Sequence, residues 1–188
     1  PNPEGSLYGL FSVSDSNQVR FSKGNLQYQA TTNIWRFAEN QFDIIGAENS
    51  NISPSYDGWI DLFGWGTRVP TNSTTHASSY GEFIEWGGYA IGADKPRTWR
   101  TLTQEEWTYL LEGRPNATKL CGMAEVAGVN GLILLPDIWT TPPTVIFKSG
   151  VCAEAGDKYF AQHQTISEEQ WSLMEAAGAV FLPAAGYR

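Results

Sequence analysis

Two segments of this chain are written to start a helix, and they use the same device. In each, a capping residue (Thr103, Ser167) precedes a Glu or Gln by three positions (Glu106, Gln170). An apolar residue stands just before each cap (Leu102, Ile166), and a Trp follows at the fourth helical position (Trp107, Trp171). This is a capping box with a hydrophobic staple, in which cap and third residue exchange hydrogen bonds while the flanking apolar pair sets the entry angle. The pattern predicts a helix over residues 104–112, ended by Gly113 and Pro115, and another over 168–177, ended by Gly178 as a left-handed cap. Trp107, Leu110 and Leu111 form the buried stripe of the first. Each helix is followed by an apolar run closed by Leu-Pro: residues 132–135 before Pro136, and 179–182 before Pro183. The repetition is a weak internal duplication of helix and buried strand.

The rest reads as strand and loop. Residues 6–45 alternate in the strand manner, with turns at 14–17, 23–25 and 31–33; residues 41–45 fit a strand or a short helix. A turn is expected at 128–131 and a short edge strand at 144–147. Residues 46–75 are loop-like, pinned by Trp59, Phe63 and Trp65, with 71–79 as the mobile tip. The expected class is α+β: antiparallel strands with two short helices. We read residues 1–188 as a single domain, comprising a β-hairpin region (1–45), long aromatic and Gly-rich loops (46–98) and a two-helix core (99–188).

Composition narrows the function. The net charge of −8, with 12 scattered Lys and Arg, is unsuited to a nucleic-acid partner, which needs a basic stripe. No apolar run approaches the ~20 residues of a membrane span. The opening Pro1-Asn2-Pro3-Glu4-Gly5 reads as the linker after a processed or lipidated N-terminus, so export to the cell surface is expected, with any lipid anchor outside this chain. Cys121 and Cys152 fit a disulfide or two buried thiols equally well.

Catalytic constellations are weak. His76 and His163 lie in no nucleophile or zinc motif. Asp57 and Asp61 flank Trp59 and Ile60; paired carboxylates or calcium ligands with Asn49 and Asn51 are conceivable, but turn capping explains them better. No cofactor is called for, and metal binding and oligomeric state stay open. Flat rings in Gly-rich sequence suit sugar or peptide recognition. The candidate ligand-binding residues are Trp86 and Tyr89 near Glu82 and Glu85, with Trp59 and Trp65.

Residues 99–109, Trp99-Arg100-Thr101-Leu102-Thr103-Gln104-Glu105-Glu106-Trp107-Thr108-Tyr109, resemble the W-R-L-P-T-E-A-E-W-E-Y helix start of the formylglycine-generating (sulfatase-modifying factor) family. Arg100, Thr103, Glu106, Trp107 and Tyr109 stand in register. Residues 11–43, 57–67, 128–137 and 181–188 are similar to a group of secreted or lipid-anchored surface proteins of anaerobic gut bacteria (Bacteroidetes type). The first resemblance implies an elaborated C-type lectin-like fold. The second implies a non-enzymatic surface protein presenting a face to a glycan or protein ligand. Two other roles stand beside it: an enzyme or degenerate enzyme of the formylglycine-generating type, and a structural subunit of a surface appendage. In the gut-bacterial group, the equivalent of residues 181–188 is followed by a further strand-bearing segment, so this chain is expected to lack its C-terminal part.

Overall fold

The computed structural model describes residues 2–51, 55–61, 86–150 and 164–184. The architecture is α+β, with antiparallel sheets and two short helices. The chain forms two compact units: residues 6–22 with 102–184, and residues 1–5 with 23–101 and 185–188.

In the unit of residues 6–22 and 102–184, both capping boxes close. The Thr103 hydroxyl accepts from the Glu106 amide and Glu106 Oε2 accepts from the Thr103 amide, at 3.2 and 2.9 Å. Ser167 and Gln170 repeat this at 3.3 and 3.2 Å. The first helix, α1 (Gln104–Thr108), is shorter than expected, because Tyr109–Gly113 continue it as a wider π turn. The cause is Arg114: its side-chain Nε takes the Leu110 carbonyl, the partner its own amide would have in an α-helix, and that amide bonds to Tyr109 O. Helix α2 (Glu168–Ala176) runs as expected and ends in a Schellman motif. The Gly178 amide bonds to Glu175 O, the Ala179 amide to Met174 O, and Gly178 has φ +101°.

These helices accompany a four-stranded sheet of β6 (Cys121–Val126), β7 (Val129–Leu134), β8 (Thr165–Ile166) and β9 (Val180–Pro183), in the order β8-β6-β7-β9. The apolar runs after the two helices are therefore neighbours, β7 and β9 pairing antiparallel from Leu134↔Val180 to Gly131↔Pro183. The two-residue β8 pairs parallel to β6, so Ile166 belongs to the sheet before α2 begins. The turn expected at 128–131 is displaced. The β6–β7 hairpin turns at Ala127 and Gly128, both with positive φ (50° and 81°), as a two-residue hairpin with right-handed strand twist requires. Gly131 is a strand residue instead: a Cβ there would stand 2.4 Å from Leu182 O and 2.5 Å from the Phe181 ring. Residues 144–147 form no strand; Thr144 has φ +75°, which bends the chain out of extension.

Leu7, Phe11, Leu110, Cys121, Leu134 and Val180 make a core cluster, with Leu102, Trp107, Leu111 and Phe21 packed on it. Trp171 is buried beside Phe181. Both helix-start Trp residues thus face the interior. The short ribbon β1 (Phe11–Ser12) and β2 (Gln18–Val19) brings Phe11 edge-on to Phe21. Gly9 fits tightly against the α2 cap, where a Gly9 Cβ would meet Gly178 O at 2.2 Å. Gly178→Ala is expected to cost ~1–3 kcal/mol, from its positive φ and the 3.0 Å approach of a new Cβ to Gly9. Urea unfolding checks this, and an unchanged midpoint would show that the cap is not under strain.

The other unit holds a three-stranded antiparallel sheet, ordered β4-β3-β5, of β3 (Leu26–Gln29), β4 (Ile34–Phe37) and β5 (Trp59–Ile60). The expected turn at 31–33 joins β3 to β4, with Asn33 at φ 52°. Residues 41–45 are neither strand nor helix. Asp43 Oδ2 accepts from the Asn40 amide and side chain, a turn that leads into the 3-10 stretch Gly46–Asn51. Residues 71–79, with Phe63 and Trp65, lie outside the described residues.

Candidate binding face

Strand alternation sorts the β4-β3-β5 sheet into two faces. Leu26, Phe37, Tyr28, Trp35 and Ile60 share one face, by the pairings Leu26↔Phe37, Tyr28↔Trp35 and Tyr28↔Ile60. This is the packed face: Trp35 and Ile60 are buried, and ring centroids are 4.4 Å apart for Tyr28–Trp35 and 5.3 Å for Trp35–Tyr89. Tyr89 lies within 20° of parallel to Trp35, so one face of its ring is committed to packing.

Gln27, Gln29, Ile34, Arg36 and Trp59 share the opposite face. Here Arg36 reaches diagonally across β3 and lays its guanidinium over the Trp59 ring, with Cζ 3.6 Å from the centroid. Its Nε donates to Oε1 of the nearly buried Gln27 at 2.9 Å. Gln29 Nε2 donates to Asp57 O at 2.8 Å, and Ile34 is 49% exposed beside it. A flat cation, a half-buried indole, two amides and one exposed aliphatic side chain therefore lie on a sheet surface.

Of the expected site residues, Trp59 and Tyr89 have described side chains, and the sheet does not bring these two together. Trp59 and Tyr89 lie on opposite faces of this sheet. Trp86 opens the 3-10 turn Trp86–Gly88, and its side chain is outside the described set, as are Glu82, Glu85 and Trp65. His76, His163 and Cys152 are outside it too. The Asp57–Asp61 carboxylates serve local structure at the Asp61 end: Asp61 accepts from the Ile45 amide (2.8 Å) and from Asn49 Nδ2 (2.7 Å), capping the 46–51 turn. Among the described residues, no group of three His, Cys, Asp or Glu is placed to hold a metal ion. No helix there is long and apolar enough to cross a membrane.

Two other carboxylates are deeply engaged, and both are structural. Asp94 accepts from the Glu4 and Gly5 amides (2.8 and 2.9 Å) and from Trp99 Nε1 (2.9 Å). Burial raises its pKa, but these three bonds together with Lys23 outweigh burial and hold it below the usual carboxylate value. Asp137 is held by Ser12, Gln18 and Arg114. Cys121 is disulfide-bonded, and Cys152 is the only other cysteine in the sequence.

Sequence reasoning missed Arg36, Gln27 and Ile34. The signal was present locally, as polar and apolar positions alternating on both sides of the 31–33 turn. It did not reveal that β5, 22 positions beyond β4, brings Trp59 beneath Arg36. Comparison with protein-family models, curated proteins and solved structures finds no match to this chain.

Proposed function

We propose that this is a non-enzymatic, exported surface protein, built on a C-type lectin-like unit, that binds a glycan on the Arg36–Trp59 face of the β4-β3-β5 sheet. The observation that carries the reading is the stacked Arg36–Trp59 pair fixed by Gln27. A guanidinium held over an indole and bonded to a neighbouring amide presents a planar group with hydrogen-bonding partners around it, which sugar rings use better than a flexible basic patch. Three further facts support the setting. A disulfide at Cys121 suits an oxidising compartment outside the cytoplasm. The α+β build with two capped helices is compatible with the lectin-like resemblance of residues 99–109. The acidic chain disfavours non-specific binding to nucleic acid.

The test is a combined glycan and protein array with the full chain, its Trp59→Ala variant, and Ile138→Ser as an exposed control in the other unit. Trp59→Ala is expected to weaken glycan retention by roughly tenfold or more, since it removes the platform under Arg36, while Ile138→Ser leaves it unchanged. Retention of protein ligands alone, or equal glycan binding by Trp59→Ala, would remove the reading.

A further inference from the structure

The guanidinium of Arg36 is held on two sides and open on the third. Trp59 lies beneath its plane at 3.6 Å, and Gln27 Oε1 occupies its Nε–H at 2.9 Å. Among the described residues, Nη1 and Nη2 donate to no oxygen, and Arg36 is exposed to solvent. Most surface arginines must freeze several rotamers before they can grip a ligand. Here the stack and the Gln27 bond have already fixed the plane and direction of the fork. The two Nη groups are the end-on pair that matches the two oxygens of a carboxylate.

The surroundings limit what can sit there. Gln27 is itself nearly buried, and its Oε1 is a neutral acceptor, so Arg36 keeps its full positive charge for an incoming group. Asp61, the carboxylate that directly follows β5, is turned to the Ile45 amide and Asn49. The adjoining row carries the Gln29 amide and the exposed Ile34 side chain. A ring bearing one carboxylate suits this arrangement. Its charge meets the fork while its ring lies along the Gln29–Ile34 row.

We propose that the ligand of this face is an acidic saccharide, recognised by a bidentate contact between a sugar-ring carboxylate and Nη1/Nη2 of Arg36. This rests on the glycan reading above and adds the charge of the ligand. Arg36 is the specificity-determining residue, and Gln27 and Trp59 are positioning residues that act through it.

Oligogalacturonate serves as the probe, titrated calorimetrically into the full chain, beside its methyl-esterified form, a neutral glucan oligosaccharide and poly-glutamate. The unesterified oligosaccharide is expected to bind, and esterification to weaken it roughly 10- to 100-fold, the worth of a charge-assisted bidentate pair. Arg36→Gln should match the loss on esterification. Arg36→Lys should recover less than half of it, because a point charge replaces the fork. Raising salt should weaken the acid form more than the ester. Gln27→Leu should weaken binding of the acid while leaving the ester unaffected, which a merely structural role would not do. Circular dichroism checks that each variant is folded; Arg36 is exposed on the edge strand β4, so its replacement leaves the packed face intact. Equal binding of acid and ester, or neutral-glucan binding lost in Trp59→Ala but kept in Arg36→Gln, would overturn the acidic-ligand inference and leave the glycan reading standing. Poly-glutamate binding as tightly as the oligosaccharide would overturn the saccharide assignment. No binding to any saccharide, here or on the array, would overturn both.

Discussion

Asp137→Ala is expected to destabilise the protein by ~2–4 kcal/mol, somewhat less than breaking a fully buried ion pair, because Arg114 is buried while Asp137 keeps partial access to water. Arg114 is almost wholly buried, and its Nη1 meets Asp137 Oδ1 at 3.0 Å. Its Nε and Nη2 are taken by the Leu110 and Leu120 carbonyls at 2.8 and 3.2 Å. The other Asp137 oxygen accepts from the Ser12 amide, the Ser12 hydroxyl and Gln18 Nε2, at 2.9, 2.7 and 2.7 Å. One carboxylate thereby ties the β1–β2 ribbon to the end of the first helix. Without it the guanidinium stays buried with no counter-charge. Asp137→Asn, which keeps part of the hydrogen bonding, should cost less.

The same node sets a pH dependence. Burial alone would raise the Asp137 pKa, but the bonds from Ser12, Gln18 and Arg114 prevail and hold it below the ordinary value. A carboxyl whose folded pKa is depressed stabilises fully above its unfolded pKa of ~3.9 and loses that contribution as pH falls through the folded value. Urea unfolding from pH 7 down to pH 2.5 should therefore show a steep loss below about pH 4, shallower in Asp137→Asn. Asp94 contributes with the same sign, so some slope remains in the variant. Identical pH profiles in wild type and variant would show that Asp137 is not the group responsible.

Removing the disulfide is the second large effect. With Cys152 as partner, the bridge closes a loop of about 31 residues, for which chain entropy gives ~3–4 kcal/mol. Cys121 is itself buried in the core cluster at the start of β6. Non-reducing denaturation followed by alkylation should leave both thiols unlabelled in the intact mass. Reduction, or the Cys121→Ala/Cys152→Ala pair, should shift the urea midpoint downward by the corresponding amount with an increased m-value, as the unfolded chain expands. Ready alkylation without reductant would defeat this prediction.

How far the fold was legible depended on range. Both capping boxes are sealed within four residues, so Thr103–Glu106 and Ser167–Gln170 could be read directly, and they closed as written. The 31–33 turn and the Gly178 cap were equally local. Errors came where side-chain burial or strand pairing, rather than local propensity, decided a backbone position. The buried Arg114 side chain captured a helix carbonyl and widened the last turn of the first helix. The six-pair β6–β7 ladder drew Ala127 into positive φ and moved the turn toward the N-terminus. Gly131 looked like a turn residue, and only β9 explains it as a point of close approach.

The candidate site followed the same division. An aromatic-rich, Gly-rich stretch was visible in the sequence, and Trp59 was among its members. Which face of which sheet each ring joins could not be read from spacing, because it depends on strand register between segments far apart in the chain. Register put Trp59 under Arg36 on one surface, while the chain leaving the Trp86–Gly88 turn lays Tyr89 against Trp35 on the other.

By itself the amino-acid order determined the α+β class, the two helix starts and the acidic surface, because these follow from hydrogen bonds and charges among near neighbours. Tertiary structure alone decided which carboxylate meets Arg114, which indole supports Arg36 and where the helix must widen. Those outcomes depend on burial and on strand pairing, which exist only once distant segments have been brought together.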